Sequence, residues 1–394
     1  MSLRLSKAAL ATAPSATLRI NAVAGQLKNK GINIISLCAG EPDFDTPAHI
    51  CRACAQAMQS GYTRYTDVSG MLPLRQAVCD HIQKHKGLLY VPDEIIIGSG
   101  AKQVLFTALQ ALIDPGDEVL LPAPYWVSYP DMIRIAGGTP CFINTSPDQG
   151  FLPSCDQLAQ AVTPRTKAII INTPGNPSGA VWPQSLLQSI MQLAQKHNLF
   201  VISDEIYESL LYDHYSHLSP ATVSNDARSR TLVVSGMSKT YAMTGWRIGY
   251  GAGPKALISA MAALQSHTAG NACTLSQHAA LAALSEPQDC VEHMKQAFAR
   301  RRKLLLDCLQ SEGLQPAIIP HGAFYLLLDV RPFLSDTRPD DESFCEQLLN
   351  TAHVALTPGT PFGACGFVRL SFATGDHDIT QAVHRIGEFV RNLK

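Results

Sequence analysis

The sequence lacks an excess of charge of either sign. Its 31 lysines and arginines nearly balance 32 aspartates and glutamates, which leaves a formal net charge of -1 over 394 residues. Proteins that attract nucleic acid or an anionic membrane through their overall field carry a clear positive excess. The composition therefore predicts neither a nucleic-acid partner nor a membrane partner.

Long apolar runs, internal repeats, low-complexity segments and Gly/Ser linkers are also absent from the sequence. A membrane-spanning helix needs about 18 or more consecutive apolar residues, and no run approaches that length. The apolar stretch within residues 1–13 is too short for the core of a signal peptide, so we expect a cytoplasmic protein. Because no linker divides the chain, its domains are expected to be interleaved by chain crossing.

Disulfide and metal-binding patterns are missing as well. The eleven cysteines are scattered, and an odd number cannot pair completely, so we expect free thiols in a reducing compartment. Cys51 and Cys54 form a lone Cys-x-x-Cys in a predicted helix over residues 49–58, without a second pair at the spacing of a zinc site. We therefore expect no bound metal.

The sequence does contain a run of small residues around one lysine and one arginine, between Ser235 and Tyr250. A lysine that acts as an amine nucleophile needs a water-poor pocket, where burial and a nearby cation lower its pKa. Lys239 is the candidate, with Arg247 eight positions further on. Arginine and a serine hydroxyl such as that of Ser238 also form a good phosphate grip. Taken alone, the run could be a surface turn; read as a site, it favours pyridoxal 5'-phosphate.

Polar residues follow two predicted buried strands. Residues 169–172 lead into a turn of prolines and glycines that carries Asn176, and residues 199–203 end at Asp204, with Tyr207 three positions later. In an open parallel sheet, ligand chemistry lies at the carboxyl ends of the strands. A buried aspartate there is costly without a cationic partner. These side chains are therefore predicted to share one site with the lysine.

Amphipathic helices alternate with short apolar strands from about Thr46 onwards, which predicts a large doubly wound, mostly parallel α/β domain. The predicted strands are residues 94–98, 118–121, 168–172, 200–203 and 231–235. A glycine-rich turn at residues 98–103 opens a predicted helix over 104–112. Such a turn offers free backbone N–H groups to a phosphate.

Beyond about residue 285 the pattern predicts a smaller α+β domain, in which helices cover one face of a few strands. The predicted elements are a long helix over 290–311, strands over 322–329, 354–356 and 367–372, and a closing helix over 378–391.

Seven segments together resemble the class I aminotransferases of the fold type I pyridoxal phosphate enzymes, and among them the bacterial aspartate (aspartate/prephenate) aminotransferase subgroup. They occur in the family's order: 36–47, 98–103, 124–130, 176–179, 203–207, 235–250 and 368–373. The resemblance implies a transaminase with a ping-pong mechanism. It also implies that an N-terminal segment, 1–46, packs with the small domain, 286–394, and that 47–285 form the large cofactor-binding domain.

The resemblance implies roles around pyridoxal 5'-phosphate for matching residues. Lys239 would bind the cofactor covalently and move a proton, Asp204 would pair with the ring nitrogen, and Tyr207 would hydrogen-bond the ring oxygen. These three are the implied catalytic residues. The other implied cofactor-binding residues are Gly100, Ala101, Lys102, Trp126, Asn176, Ser238 and Arg247, with Tyr65 from the partner subunit of a homodimer whose active sites are shared.

The resemblance also implies how substrate is held. Arg369 would bind the α-carboxylate by a two-pronged ion pair, and Gly40 would contribute from a closing loop. Lys102, Ser15 and Thr17 occupy the positions that bind the far carboxylate of a dicarboxylate. The alternatives are a solvated lysine at a helix start for Lys102 and a helix cap for Ser15. The full implied substrate set is Gly40, Trp126, Asn176, Arg369, Lys102, Ser15 and Thr17. Aspartate and glutamate are the expected donors, 2-oxoglutarate or oxaloacetate the expected acceptors, and prephenate a further acceptor.

The cofactor residues alone do not discriminate between reactions. Aminotransferases for aromatic amino acids, alanine or methionine need the same lysine, aspartate and arginine. So do carbon–sulfur β-lyases and ring-forming enzymes that act on adenosylmethionine. A transcription regulator that senses pyridoxal phosphate would carry a basic winged-helix domain ahead of this region, and we do not expect one here.

Overall fold

Strands occur along the whole of the chain that the structure describes. The computed structural model describes residues 3–6, 9–10 and 16–393. The strands are β1 (Ile35–Ser36), β2 (Ile95–Gly98), β3 (Glu118–Pro122), β4 (Thr139–Ile143), β5 (Thr166–Asn172), β6 (Phe200–Asp204), β7 (Thr231–Gly236), β8 (Gly249–Ala252), β9 (Tyr325–Asp329), β10 (Val354–Ala355), β11 (Thr357–Pro358) and β12 (Phe367–Ser371). They form one large sheet and two small ones.

Helices alternate with these strands. The helices up to the end of the large sheet are α1 (Ala16–Asn29), α2 (Ala48–Gln59), α3 (Leu72–Lys86), α4 (Ala101–Leu112), α5 (Tyr129–Ile135), α6 (Cys155–Ala161), α7 (Gln184–His197), α8 (Asn225–Ser229) and α9 (Met237–Thr240). Those that follow are α10 (Lys255–Ser266), α11 (Thr274–Ser285), α12 (Asp289–Ser311), α13 (Asp341–Ala352) and α14 (Asp376–Arg391). Short 3₁₀ turns lie at Pro92–Glu94, Pro147–Gln149, Pro220–Thr222, Arg331–Phe333 and Thr360–Phe362.

The large sheet has the strand order β2-β8-β7-β6-β5-β3-β4. Strand β8 is antiparallel to both of its neighbours, and the other pairs are parallel. Successive side chains of a strand point to opposite faces. Ile170 and Ile202 accordingly pack into one apolar cluster with Leu105 of α4, whereas Ile169 and Val201 pack into another with α7. Both faces are covered, so the predicted doubly wound domain is confirmed.

The smaller part of the molecule combines both ends of the described chain. Strands β11, β12 and β9 form an antiparallel sheet in that order, and β1 pairs in parallel with β10 through Ile35 and Val354. A shared apolar core joins Leu37, Phe298 of α12 and Ile386 of α14. This arrangement fits the predicted α+β domain. The division of the chain at residues 46 and 285 stays a prediction.

The predicted elements differ from the observed ones at a few places. Strand β4 was missed because its residues are mostly half-exposed, so no continuous apolar run marks it. Strand β8 was missed because it contains two glycines, which are rare in strands. Helix α4 begins at Ala101 and not at residue 104, because Gly100 takes a positive φ of 88° and ends the preceding turn.

Neither the helices nor the cysteines show where in the cell the protein is located. Among the described residues, no helix is both long and apolar enough to cross a bilayer. The predicted helix over 49–58 is α2, where Cys51 is exposed and Cys54 is half-buried, both as free thiols. The cytoplasmic location stays a prediction.

Candidate active site

A cavity of about 440 Å³ opens where β5, β6 and β7 end. Asn172 ends β5, Asp204 ends β6, and Lys239 follows β7 on α9. Parallel strands deliver their carboxyl ends to one edge, so residues far apart in sequence meet there. Predicted site residues that line the cavity are Gly40, Ala101, Lys102, Trp126, Asn176, Asp204, Tyr207, Ser238, Lys239, Arg247 and Arg369.

Two predicted site residues that the structure describes in full, Gly100 and Tyr65, do not line the cavity. Gly100 lies next to it, against the guanidinium of Arg247. Tyr65 is 96% exposed on the surface. Ser15 lies outside the described residues, and Thr17 lies in α1 with its side chain outside the described part. The expected contribution of the last two therefore stays a prediction.

Lys239 is a half-buried amine in the cavity. Its Nζ donates a hydrogen bond to the carbonyl oxygen of Gly40 at 2.6 Å. The pKa of Lys239 is lowered to about 8, mainly by burial; the cations Arg247 and Arg369 act in the same direction, and Glu41 opposes them. At pH 7 about a tenth of such an amine is neutral, far more than for an ordinary lysine. The side chain is therefore prepared to act as a nucleophile or a base.

Asp204 is a buried carboxylate without a cation in direct contact among the described residues. It is 4% exposed, and its Oδ2 accepts a hydrogen bond of 2.7 Å from the Tyr129 hydroxyl. The pKa of Asp204 is raised to about 6, mainly by burial. Hydrogen bonds from Tyr129 and the Ile206 N–H act in the opposite direction and are outweighed. An ionised carboxylate at this position gains free energy from a cationic ligand.

The start of α4 forms a cradle beside Arg247. Helix starts carry free N–H groups and a partial positive charge that favour a bound anion. A Cβ on Gly100 would lie 2.7 Å from Nη2 of Arg247, and one on Gly249 would lie 2.5 Å from the Ala101 nitrogen. Only glycine leaves this space open. Ser238 is buried and lines the same cavity, so backbone donors, a hydroxyl and a guanidinium are available to a phosphate.

Arg369 places a second guanidinium in the cavity. It is 3% exposed, and it donates to Asn176 Oδ1 and to the Cys38 carbonyl oxygen, both at 3.0 Å. Its Nε is buried and has no partner among the described residues. A fixed, buried cation with a free donor fits a carboxylate ligand.

Comparison with known proteins identifies the family. The sequence model of Aminotransferase class I and II matches residues 32–386. The chain belongs to this family of aminotransferases. It is 44% identical over 384 residues to the aspartate/prephenate aminotransferase of Thermus thermophilus, covering 97% of both chains. It is also 44% identical to the aspartate aminotransferase of Bacillus sp. (strain YM-2), covering 96% of this chain and 97% of the relative.

A solved structure gives the same result for the fold. The aspartate aminotransferase from Thermus thermophilus with maleate superposes with a TM-score of 0.94 at 44% identity, covering 98% of this chain and all of the other. The predicted family, fold class and transaminase activity are confirmed. The roles of the individual site residues in this aminotransferase stay predictions.

Two tyrosines of the cavity in this aminotransferase, Tyr129 and Tyr325, were not among the predicted site residues. Tyr129 lies three positions after the predicted site residue Trp126. Its place in the same turn was the one sequence signal that could have indicated it. The Tyr325 hydroxyl lies 3.0 Å from that of Tyr207, and its signal was a tyrosine at the start of an apolar strand. Glu41 was also missed; it accepts a hydrogen bond of 2.5 Å from the Thr244 hydroxyl.

A buried charge cluster lies directly behind Asp204 in this aminotransferase. The ligating atoms of Glu205, Glu208 and His217 lie within 4.8 Å of one another, as in a metal site. The ammonium of Lys86 pairs with both carboxylates and so supplies the cation. Burial raises the pKa of Glu205, but Lys86 and His217 outweigh it and hold that pKa well below its usual range. The cluster thus keeps the segment after β6 fixed.

Proposed function

We propose that this aminotransferase uses pyridoxal 5'-phosphate to transfer amino groups between aspartate or glutamate and 2-oxo acids by a ping-pong mechanism. One observation carries the proposal: the amine of Lys239, the buried carboxylate of Asp204 and the guanidinium of Arg369 face one cavity. The aspartate aminotransferases among its relatives support the choice of donor.

The residues around the cavity fit this cofactor. Asp204 would pair with the ring nitrogen, which supplies the cation that its buried carboxylate favours. The phosphate would lie at the start of α4, between the backbone around Gly100, Ala101 and Lys102 and the side chains of Ser238 and Arg247. When bound, pyridoxal phosphate acts as an electron sink for the carbanion that forms when the substrate α-carbon loses its proton.

The protein's own side chains bind, orient and move protons. Nζ of Lys239 takes the proton from the substrate α-carbon, a task that its pKa of about 8 suits near neutral pH. Asp204 would hold a proton at the ring nitrogen by its negative charge, the type of preorganised stabilisation that is worth about 3–4 kcal/mol. Tyr207 and Asn176 would hydrogen-bond the ring oxygen, and Trp126 would pack on the ring face.

Lys102 is the proposed grip for the far carboxylate of a dicarboxylate substrate. It lies on the first turn of α4, and its Nζ is 4.7 Å from the centroid of the Trp126 ring. Partial burial and the nearby Arg247 lower the pKa of Lys102. A cation at a helix start is unfavourable and gains from an anionic partner. Ser15 and Thr17 would complete the grip, which would also accept prephenate.

Lys102→Ala is expected to lower kcat/KM for aspartate by about 5–150-fold, the 1–3 kcal/mol of a charge-assisted hydrogen bond. The value for alanine should stay near that of the wild type, because alanine has no second carboxylate. Half-reactions with single amino acids, followed by the cofactor absorbance, measure both. Lys255→Ala is the matched control, since Lys255 also begins a helix but lies outside the cavity.

Three results would each contradict a part of this assignment. Equal losses for aspartate and alanine would exclude Lys102 as the specificity residue. A wild-type preference for alanine, methionine or aromatic donors would overturn aspartate specificity. Release of ammonia and a thiol from a cystathionine-like substrate, without an amino acceptor, would instead identify a carbon–sulfur β-lyase.

We also infer a homodimer with shared active sites. Tyr65 is 96% exposed and therefore reaches away from its own chain. The segment around it exposes further large apolar side chains, Met58, Tyr62 and Leu72. An exposed apolar group of this kind is typical of a surface that another chain covers. The hydroxyl of Tyr65 would donate a hydrogen bond to the phosphate bound in the partner subunit.

Tyr65→Phe is expected to speed the loss of cofactor on dialysis, because one phosphate hydrogen bond worth about 1.5–3 kcal/mol is removed, while thermal unfolding of the apoprotein stays unchanged. Tyr62→Phe is the control, since it removes an exposed hydroxyl from the same segment without a predicted phosphate contact. Sedimentation of a fully active monomer at micromolar concentration would refute the shared-site dimer.

A further inference from the structure

The Tyr325 side chain contacts two groups that the proposed function uses for different ligands. Its hydroxyl lies 3.0 Å from the hydroxyl of Tyr207, which would bind the cofactor oxygen. Its ring lies 4.4 Å from the guanidinium carbon of Arg369, which would bind the substrate carboxylate. One side chain thus spans the distance between the two binding groups.

Strand pairing holds Tyr325 in this position. Strands β9 and β12 are antiparallel, with Tyr325 opposite Ser371 and Leu327 opposite Arg369. Residues directly opposite each other share a face, and so do residues two apart along one strand. Tyr325 and Arg369 are therefore diagonal neighbours on one face, and both are buried. Neither can move without disturbing the small sheet.

We propose that Tyr325 is a positioning residue that couples carboxylate binding at Arg369 to the hydrogen bond between Tyr207 and the cofactor oxygen. The inference rests on the proposed function, because it takes Arg369 and Tyr207 in the roles given there. It adds a connection between the two ligand sites through a residue that contacts both binding groups.

The direction of the coupling follows from hydrogen-bond chemistry. A phenol carries one proton, so Tyr207 can donate to the cofactor oxygen only if it accepts from Tyr325. A hydroxyl that accepts a hydrogen bond becomes a stronger donor. The positive charge of Arg369 over the Tyr325 ring strengthens donation by the Tyr325 hydroxyl. When a carboxylate neutralises Arg369, the hydrogen bond from Tyr207 to the cofactor oxygen should weaken. The nitrogen that joins Lys239 to the cofactor should then keep its proton to higher pH.

Other charged groups near the hydroxyls of Tyr207 and Tyr325 also influence the hydrogen bond between them. Asp204 at the end of β6 acts on Tyr207, and Glu41 in the loop after β1 acts on Tyr325. Lys239 of α9 lies in the same cavity. Asn176 accepts a hydrogen bond from Arg369 and offers a second path to the cofactor oxygen. Loss of the Tyr325 hydroxyl should therefore reduce the coupling without abolishing it.

The test is Tyr325→Phe in the holoenzyme, which keeps the ring on Arg369 and removes only the hydroxyl. The pH midpoint of the absorbance change of the lysine-bound cofactor is measured without ligand and with saturating succinate, a dicarboxylate without an amino group. The midpoint without ligand should rise by about 0.1–0.7 unit. The shift caused by succinate should become smaller than in the wild type.

Tyr212→Phe is the matched control. Tyr212 is an equally buried tyrosine of the same core, and its hydroxyl donates to the carbonyl oxygen of Ala323, away from the cavity. This variant should keep both wild-type values. Tyr207→Phe completes a double-mutant cycle, because Tyr325→Phe should add no further change once Tyr207 has lost its hydroxyl.

The outcomes separate the two proposals. A wild-type midpoint and a wild-type succinate shift in Tyr325→Phe would overturn the coupling and leave the proposed function standing. So would equal changes in Tyr212→Phe, or full additivity in the double-mutant cycle. If Tyr325→Phe does not fold, an unreduced succinate shift in Tyr207→Phe overturns the coupling. A wild-type protein without a lysine-bound absorbance band would overturn both proposals.

Discussion

Lys239→Ala is expected to remove the absorbance band of the lysine-bound cofactor and nearly all transaminase activity. The variant loses the covalent attachment point and the base that moves the substrate α-proton. Loss of a positioned base alone costs about 10²–10⁴-fold in rate, and loss of the attachment adds to it. Absorbance spectra of the purified variant with added cofactor, together with single-turnover rates with aspartate, measure both effects.

The location of the attached cofactor provides the decisive check on Lys239. Borohydride reduction of the wild-type enzyme followed by peptide mapping should place the cofactor on Lys239 alone. Lys102 is the control, because it is the other predicted lysine that lines the cavity, and Lys102→Ala should retain the band. A reduced adduct on any other lysine would show that the assignment is wrong.

Arg369→Lys is expected to lower kcat/KM by about 30–1,000-fold for every amino acid donor, a loss of 2–4 kcal/mol in transition-state binding. Lysine keeps the charge but cannot present a two-pronged donor pair. The change would also leave Asn176 Oδ1 and the Cys38 carbonyl oxygen without their buried donors. Steady-state kinetics with aspartate and alanine measure the loss.

The pattern across donors distinguishes Arg369 from Lys102. Both donors have an α-carboxylate, so Arg369→Lys should penalise them equally, whereas Lys102→Ala should penalise aspartate alone. Arg338→Lys is the control for folding, since Arg338 is a buried arginine with hydrogen bonds to Phe333 and Gln347, outside the cavity. If Arg369→Lys lowered kcat/KM for aspartate alone, the result would indicate that Arg369 binds the side-chain carboxylate and not the α-carboxylate.

Much of the fold and the centre of the site could be predicted from local sequence. Strands β5, β6 and β7 are continuous apolar runs, and each run ends next to a polar or reactive residue. Parallel strands must bring those ends to one edge, which places Asp204 and Lys239 together without knowledge of the loops. The role of Arg369 came from the family resemblance, because an arginine inside an apolar strand does not by itself name its ligand.

Contacts between distant parts of the chain were decided only by the tertiary structure. Tyr207 and Tyr325 are 118 positions apart, Lys86 and Glu205 are 119 apart, and Asn176 and Arg369 are 193 apart. No periodicity in the sequence links such pairs. The pKa of Lys239 near 8 and that of Asp204 near 6 also depend on the folded chain. Burial and through-space charge set these values, and both exist only in the folded chain.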